Sequence, residues 1–475
     1  MLFHSQEFLL LFLPVALAGW YLAAGRKEWR VAWMIALSLV FYAYWDIRLL
    51  PLLVLSILGN WGLAAFAYGK LGNAGMQRFA APMGILLNLA VLGIFKYADF
   101  VGNTVAAVFG EPHDPWGIVL PLGISFFTFQ QISYLADLKR GKAPVYGLAD
   151  YALYVSYFPQ LIAGPIVRHD ELIHQFDAYP KRDGVSERMT RGAALLLIGI
   201  AKKVLLADVF AGFADPIFST VETERTVGFI DAWAGTGAFG LQIYFDFSAY
   251  SDMAIGLAMM AGITLPENFN APYRAVSLVD FWRRWHMTLS RFLRDYLYVP
   301  MGGNRAGRRR QALALAATML LGGLWHGAAW TFVVWGGLHG IGLVVSHFWG
   351  KTGISIGRPL GWAFTMVFVF WTWVVFRAES MAGALKLWTA MFGLSDAALI
   401  LTPEGPDSTV AVDLSTAGWL LAGALIAAVG PTSQTVAFVK LRPLRSLATV
   451  AALLAVFLVF RLGGGANQDF IYFQF

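Results

Sequence analysis

The sequence has no cysteine. Disulfides, thiolate metal sites and a cysteine nucleophile are therefore excluded, and a covalent acyl intermediate would have to use oxygen or nitrogen. Charge is scarce too. Only 13% of residues are Asp, Glu, Lys or Arg, about half the usual quarter of a soluble domain. With 58% hydrophobic residues and a mean hydropathy of +0.61, too few polar residues remain to clothe 475 residues in water. Lipid is the natural solvent for the excess. The 35 basic residues outnumber the 29 acidic ones, a net of +6. No basic stretch carries aromatic or RNA-binding signatures, so the excess reads as cytoplasmic loops and not as a nucleic-acid surface. No H-E-x-x-H occurs, which sets aside a zinc site of that type. The G-x-S-x-G at 353–357 lies in the loop 349–359, apart from His286 and His326, so a serine-hydrolase elbow is not expected. There is no fixed-period repeat and no long linker, so one membrane domain over 1–475 is the simplest organisation.

Apolar runs near the length of a bilayer crossing recur along the chain. They predict spans at 7–24, 31–47, 50–69, 80–98, 118–137, 192–212, 232–262, 312–330, 331–348, 360–377, 415–431 and 446–462. The first run lacks a basic region before it, and Arg26, Lys27 and Arg30 follow it. It reads as a retained span and not a cleaved signal. By alternation the basic loops 25–30, 70–79, 138–147, 263–311, 349–359 and 432–445 are cytoplasmic. The loops 99–117, 213–231 and 395–414 are rich in Asp and Glu and fall outside. Both termini then face outward.

Two segments do not fit simple spans. Residues 148–164 are short and end in Pro159 and Gly164. Both flanks read as cytoplasmic, so the segment is expected to be re-entrant, a broken backbone buried in protein or lining a wet cavity. Residues 276–298 mix aromatic and basic side chains at helical spacing and belong at the cytoplasmic surface or along a cavity.

Chemistry concentrates in two places. The run FWRRWHMTLSRFLRDYLYVPMGGNR holds His286 and the arginines Arg283, Arg284, Arg291 and Arg294. This surface suits the phosphates of an anionic partner such as coenzyme A, or acidic lipid headgroups. Ordinary positive-inside anchoring is the plainer alternative. The run LGGLWHGAAWTFVVWGGLHG holds His326 among Gly322, Gly323 and Gly327, with His339 further on. An ionisable residue within an apolar span is a functional candidate by default, and the glycines let another backbone or a substrate chain approach. The alternative is a packing histidine bonded to a carbonyl, a reading that fits His339 better. A neutral His326 can take the proton of a hydroxyl as it attacks an acyl carbonyl. The terminal FIYFQF is too aromatic for water and should dock. Beyond docking, its Tyr472 offers a phenol as an acyl carrier where no thiol exists.

Several long motifs occur in order: LPLGISFFTFQQISYLADLKRG, YVSYFPQLIAGPIVR, GIAKKVLLADV, QIYFDFSAYSDMAIGLAMMAGITLPENFNAPY, then RRWH, GLWHG and the terminal FIYFQF. In these the chain resembles the membrane-bound O-acyltransferases, in the bacterial branch of alginate O-acetyltransferase and the teichoic-acid D-alanyl transfer protein. The resemblance implies an all-α polytopic fold of about 11–12 spanning helices, with re-entrant and interfacial helices around a central tunnel. It implies that His326 is the essential histidine and that His286 holds a second motif position, where Asn or His occurs. It implies an acyl group, acetyl from acetyl-CoA above all, passed from a cytoplasmic donor toward hydroxyls of an exopolysaccharide or cell-wall polymer. No permanently bound cofactor is expected. An extracytoplasmic acyltransferase partner, a location in the bacterial inner membrane and a tail over 463–475 that carries the acyl group on Tyr472 complete the expectation. Two rivals stand beside it. One is a transporter or flippase for a polymer precursor, for which Asp246 and Asp252 are the acids of one long span. The other is a non-catalytic scaffold of a secretion complex.

Overall fold

The structure is a computed structural model. It describes residues 1–223, 225–305, 307–394, 412–440, 452, 455–457, 470 and 471. Among these there are helices, turns and loops but no strand. Among the described residues, four helices are long and apolar enough to cross a bilayer: Ile47–Tyr68, Ala74–Phe109, Trp330–Trp349 and Arg358–Arg377. Phe8–Leu22 and Leu414–Val429 are shorter apolar helices. Each of the first eleven expected spans falls on helix, and the twelfth, 446–462, lies almost wholly outside the described residues. The chain is a multi-pass membrane protein.

The residues form two compact units, each discontinuous in sequence. One comprises 1–200, 250–267 and 437–469, the other 201–249, 268–436 and 470–475. Two of their boundaries fall inside the Val185–Lys202 and Phe229–Met260 helices, and another in the loop at 267–268.

In the first unit, buried polar side chains tie helices together where lipid offers no partner. Asn60 and Asn88 exchange amide hydrogen bonds of 3.2 and 2.6 Å, and Gln131 donates to Ser56 Oγ at 2.8 Å. The buried Arg30 donates to the carbonyls of Ala24 at 2.8 Å and Phe176 at 2.6 Å. The expected broken segment is a helix Leu148–Ser156, a break at Tyr157 and a short helix Phe158–Leu161. Every residue from Leu153 to Val167 is buried. The break frees backbone donors, and one of them, Phe158 N, is met by Ser38 Oγ at 3.1 Å.

One boundary differs most from expectation. The helix begun at Ala74 runs on to Phe109 through the predicted outer loop at 99–117. Gly102 does not interrupt it, and Gly110, whose φ is +72°, ends it. Asp99 is helical and accepts from Trp116 N at 2.9 Å.

In the second unit, Gly307–His326 and Trp330–Trp349 form a tight hairpin. A Cβ on Gly323 would run into the carbonyl oxygen of Phe332 and come within 2.9 Å of Gly336 Cα. The two backbones touch because neither glycine carries a side chain, as the sequence implied.

Candidate functional site

All the described candidate residues lie in the second unit. His326 is the last residue of its helix, and residues 327–329 break the chain before Trp330. The histidine thus sits at a helix end, within the apolar span expected over 312–330. It is 4% exposed. Aromatic rings enclose it: Trp325 at 4.9 Å between centroids, Trp335 at 5.2 Å and Phe376 at 5.2 Å. The Trp335 indole N–H is buried and has no hydrogen-bond partner among the described residues.

His286 is fully buried, between the short helices Leu278–Trp282 and Met287–Leu293. Its backbone is left-handed, with φ 42° and ψ 55°. A side chain costs about 1–3 kcal/mol in such a conformation, which persists only where the surroundings impose it. They do so through one loop. Asn270 N donates to Arg284 O at 2.9 Å, and Met287 N to Asn268 O at 2.9 Å. The buried Asn268 Oδ1 accepts from Thr288 Oγ1 at 2.9 Å, Thr288 N at 3.3 Å and His286 Nδ1 at 3.1 Å. Because Asn268 presents an acceptor, Nδ1 carries the proton and Nε2 keeps the lone pair. Burial lowers the His286 pKa from 6.5 to about 3, so the ring is neutral in physiological conditions. The His286 and His326 centroids lie 6.4 Å apart. Two imidazoles from separate segments of the chain therefore meet.

His339 serves the packing. Trp282 Nε1 donates to its Nδ1 at 3.2 Å, so Nε2 holds the hydrogen that meets Thr372 Oγ1 at 3.0 Å. Both nitrogens are occupied, which agrees with the packing alternative.

The four arginines are not equivalent. Arg284 pairs with Asp280 at 2.8 Å and Arg294 with Asp295 at 2.6 Å. Arg283 and Arg294 are exposed, and Arg284 and Arg291 half-buried. Arg274, counted in the same basic loop, instead binds the carbonyls of Ala428, at 2.7 Å, and Gly430 at the end of the Leu414–Val429 helix.

The sequence reading missed two residues and left a third undecided. Asn268 is one, and a buried amide inside the motif LPENFNAPY was its only signal. Lys203 is another. It opens a π-helical turn, Lys203–Ala207, a distortion common at functional sites. It is buried and reaches Asp246 at 3.0 Å and Asp208 at 2.9 Å. Asp246, left open between transport and structure, also accepts from the backbone N–H of Ile471 at 2.7 Å. Phe470 and Ile471 are buried, and the Phe470 ring lies 5.9 Å from Phe247. Phe247 in turn meets His286 edge-on at 4.7 Å. Tyr472 lies outside the described residues.

Residues 39–376 match the family model of the MBOAT, membrane-bound O-acyltransferase family. The chain belongs to this family. A peptidoglycan O-acetyltransferase of Helicobacter pylori is 40% identical over 84% of this chain and 81% of the relative. A probable alginate O-acetylase AlgI of Azotobacter vinelandii is 38% identical over the whole of both chains. A teichoic acid D-alanyltransferase of Streptococcus thermophilus is more distant, 26% identical over 50% of this chain and 59% of the relative. The MBOAT chain described here is thus an acyltransferase, and the transporter and scaffold alternatives give way to that class.

Proposed function

We propose that this chain moves an acetyl group from acetyl-CoA, taken from the cytoplasm, toward hydroxyls of an extracytoplasmic, alginate-like polysaccharide, working in a bacterial inner membrane with both termini outside. The observation that carries the reading is the meeting of His326 and His286, neighbouring buried imidazoles 6.4 Å apart. The names of the two relatives near 40% identity, both O-acetyl transfer proteins, support acetyl as the group and a polysaccharide as its destination.

In this mechanism His326 is the general base. Its imidazole takes the proton of an attacking hydroxyl while that oxygen adds to the thioester carbonyl. Collapse of the tetrahedral species breaks the carbon–sulfur bond, and the departing thiolate recovers the proton. His286, locked with its proton on Nδ1, offers Nε2 to order the reacting hydroxyl. Arg283, Arg284, Arg291 and Arg294 meet the donor's phosphates. The Tyr472 phenol is the first acceptor. Its acetyl ester is then attacked by a sugar hydroxyl, a step completed with an extracytoplasmic acyltransferase partner.

The test compares cells carrying wild-type protein with cells carrying His326→Ala, at matched protein abundance. Mass spectrometry of the surface polymer should show acetyl content down by about 100-fold or more, the range for losing a general base. Unchanged acetylation rejects the assignment of His326. Tyr472→Phe should also abolish transfer, and full activity there removes the carrier step.

A further inference from the structure

An acid and a base held inside an apolar helix bundle are costly, so their contacts point to what they are for. Asp246 sits in the long Phe229–Met260 helix and is 2% exposed. One of its oxygens takes the Lys203 ammonium at 3.0 Å, and the other takes the main-chain N–H of Ile471 at 2.7 Å. Lys203 is shared with Asp208 at 2.9 Å. The contact to Ile471 spans 225 residues of sequence. It recognises a backbone donor, so it fixes the position of the chain end without regard to the side chain. Beside it, Phe470 rests near Phe247, the ring that touches His286.

We propose that Asp246, oriented by Lys203, is a positioning residue that pins the C-terminal segment beside the histidine pair and so sets where the residue after Ile471 can react. This rests on the acyl-carrier reading given above. Lys203 holds the carboxylate in one rotamer, and the carboxylate accepts the amide N–H. Neither residue touches the acyl group.

The test uses full-length protein in proteoliposomes and two readouts. Hydrogen exchange at the Ile471 amide reports the pin whether or not the protein acts on any polymer. Initial rates with acetyl-CoA report its consequence. Asp246→Ala should speed that exchange at least tenfold and lower kcat at least tenfold, with KM for acetyl-CoA unchanged. Asp246→Asn, which keeps an oxygen acceptor, should exchange more slowly than the alanine variant. If Asp246→Ala does not fold, Ile471→Pro removes the N–H and leaves the ion pair intact, and Ile471→Val serves as its control. The proline variant should lose kcat and the valine variant keep it. Wild-type exchange in folded Asp246→Ala overturns the pin. Fast exchange with wild-type kcat, or a proline variant as active as valine, overturns its role in the reaction. Failure of the acyl-carrier reading itself is told apart by Tyr472→Phe, which would then leave acetyl transfer unchanged.

Discussion

Asn268 Oδ1 accepts the Nδ1 hydrogen of His286 at 3.1 Å while holding both donors of Thr288. One amide therefore fixes the ring's tautomer, and through Met287 N its main chain clamps the left-handed turn. Asn268→Ala should lower kcat by about tenfold or more, or ~1.4 kcal/mol of barrier. Asn268→Asp keeps an acceptor but favours the imidazolium, so it should move the acid limb of the pH–rate profile upward. A wild-type kcat in Asn268→Ala, or an unmoved limb in Asn268→Asp, would count against His286 having a chemical role.

Stability should depend on pH through the same ring. Burial puts the folded pKa of His286 near 3, below the unfolded value of 6.5. The unfolded chain then binds the proton more readily. The contribution is complete above about pH 6.5 and is lost as pH falls from there toward 3, by up to about 1.4 kcal/mol per unit. Thermal melting in detergent at pH 7.5 and 5.0 should show wild type losing Tm. His286→Asn cannot titrate and tolerates left-handed backbone, so it should lose less. Equal losses would place the sensitivity elsewhere.

The glycines before His326 should respond differently to a methyl group. At Gly323 the added carbon meets backbone on the facing helix, whereas at Gly322 the nearest atom is the movable Leu293 Cδ1 at 3.1 Å. Gly323→Ala should cost about 1–3 kcal/mol and displace His326. Gly322→Ala should cost less than 1 kcal/mol. Melting curves and acetyl transfer on the two variants check the order, and a Gly323→Ala protein as stable and active as wild type would contradict it.

His339 should separate stability from chemistry. Removing it leaves the Trp282 N–H without the acceptor it now has, and deprives Thr372 of a donor. His339→Ala should lose roughly 1–3 kcal/mol while folded protein keeps wild-type turnover. A kcat loss as deep as that of His326→Ala would give His339 a part in the reaction.

Much of this was legible one residue at a time. Apolar runs located the helices, and Pro159 with Gly164 marked the broken segment. The family motifs singled out both histidines. Legibility failed where the deciding term was not local. Asp99 looked like loop because it is charged, yet nothing before Gly110 stops the helix. The arginines of 283–294 looked like one basic face, but Arg284 pairs with Asp280 and Arg294 with Asp295. Their neighbours in sequence were visible, whereas their pairing depends on rotamers.

Composition and periodicity are sums over neighbouring residues, and the need to satisfy every backbone group in lipid leaves a helix as the answer to an apolar run. So the sequence alone determined an all-helical membrane chain, the extent of most helices and the family. Which groups meet is a matter of long-range packing. The tertiary structure alone decided that His286 and His326 are neighbours, that Asn268 selects the proton's position on the ring, and that Lys203 and Asp246 close on the N–H of Ile471. Those contacts join residues tens to hundreds of positions apart, and no local pattern encodes them.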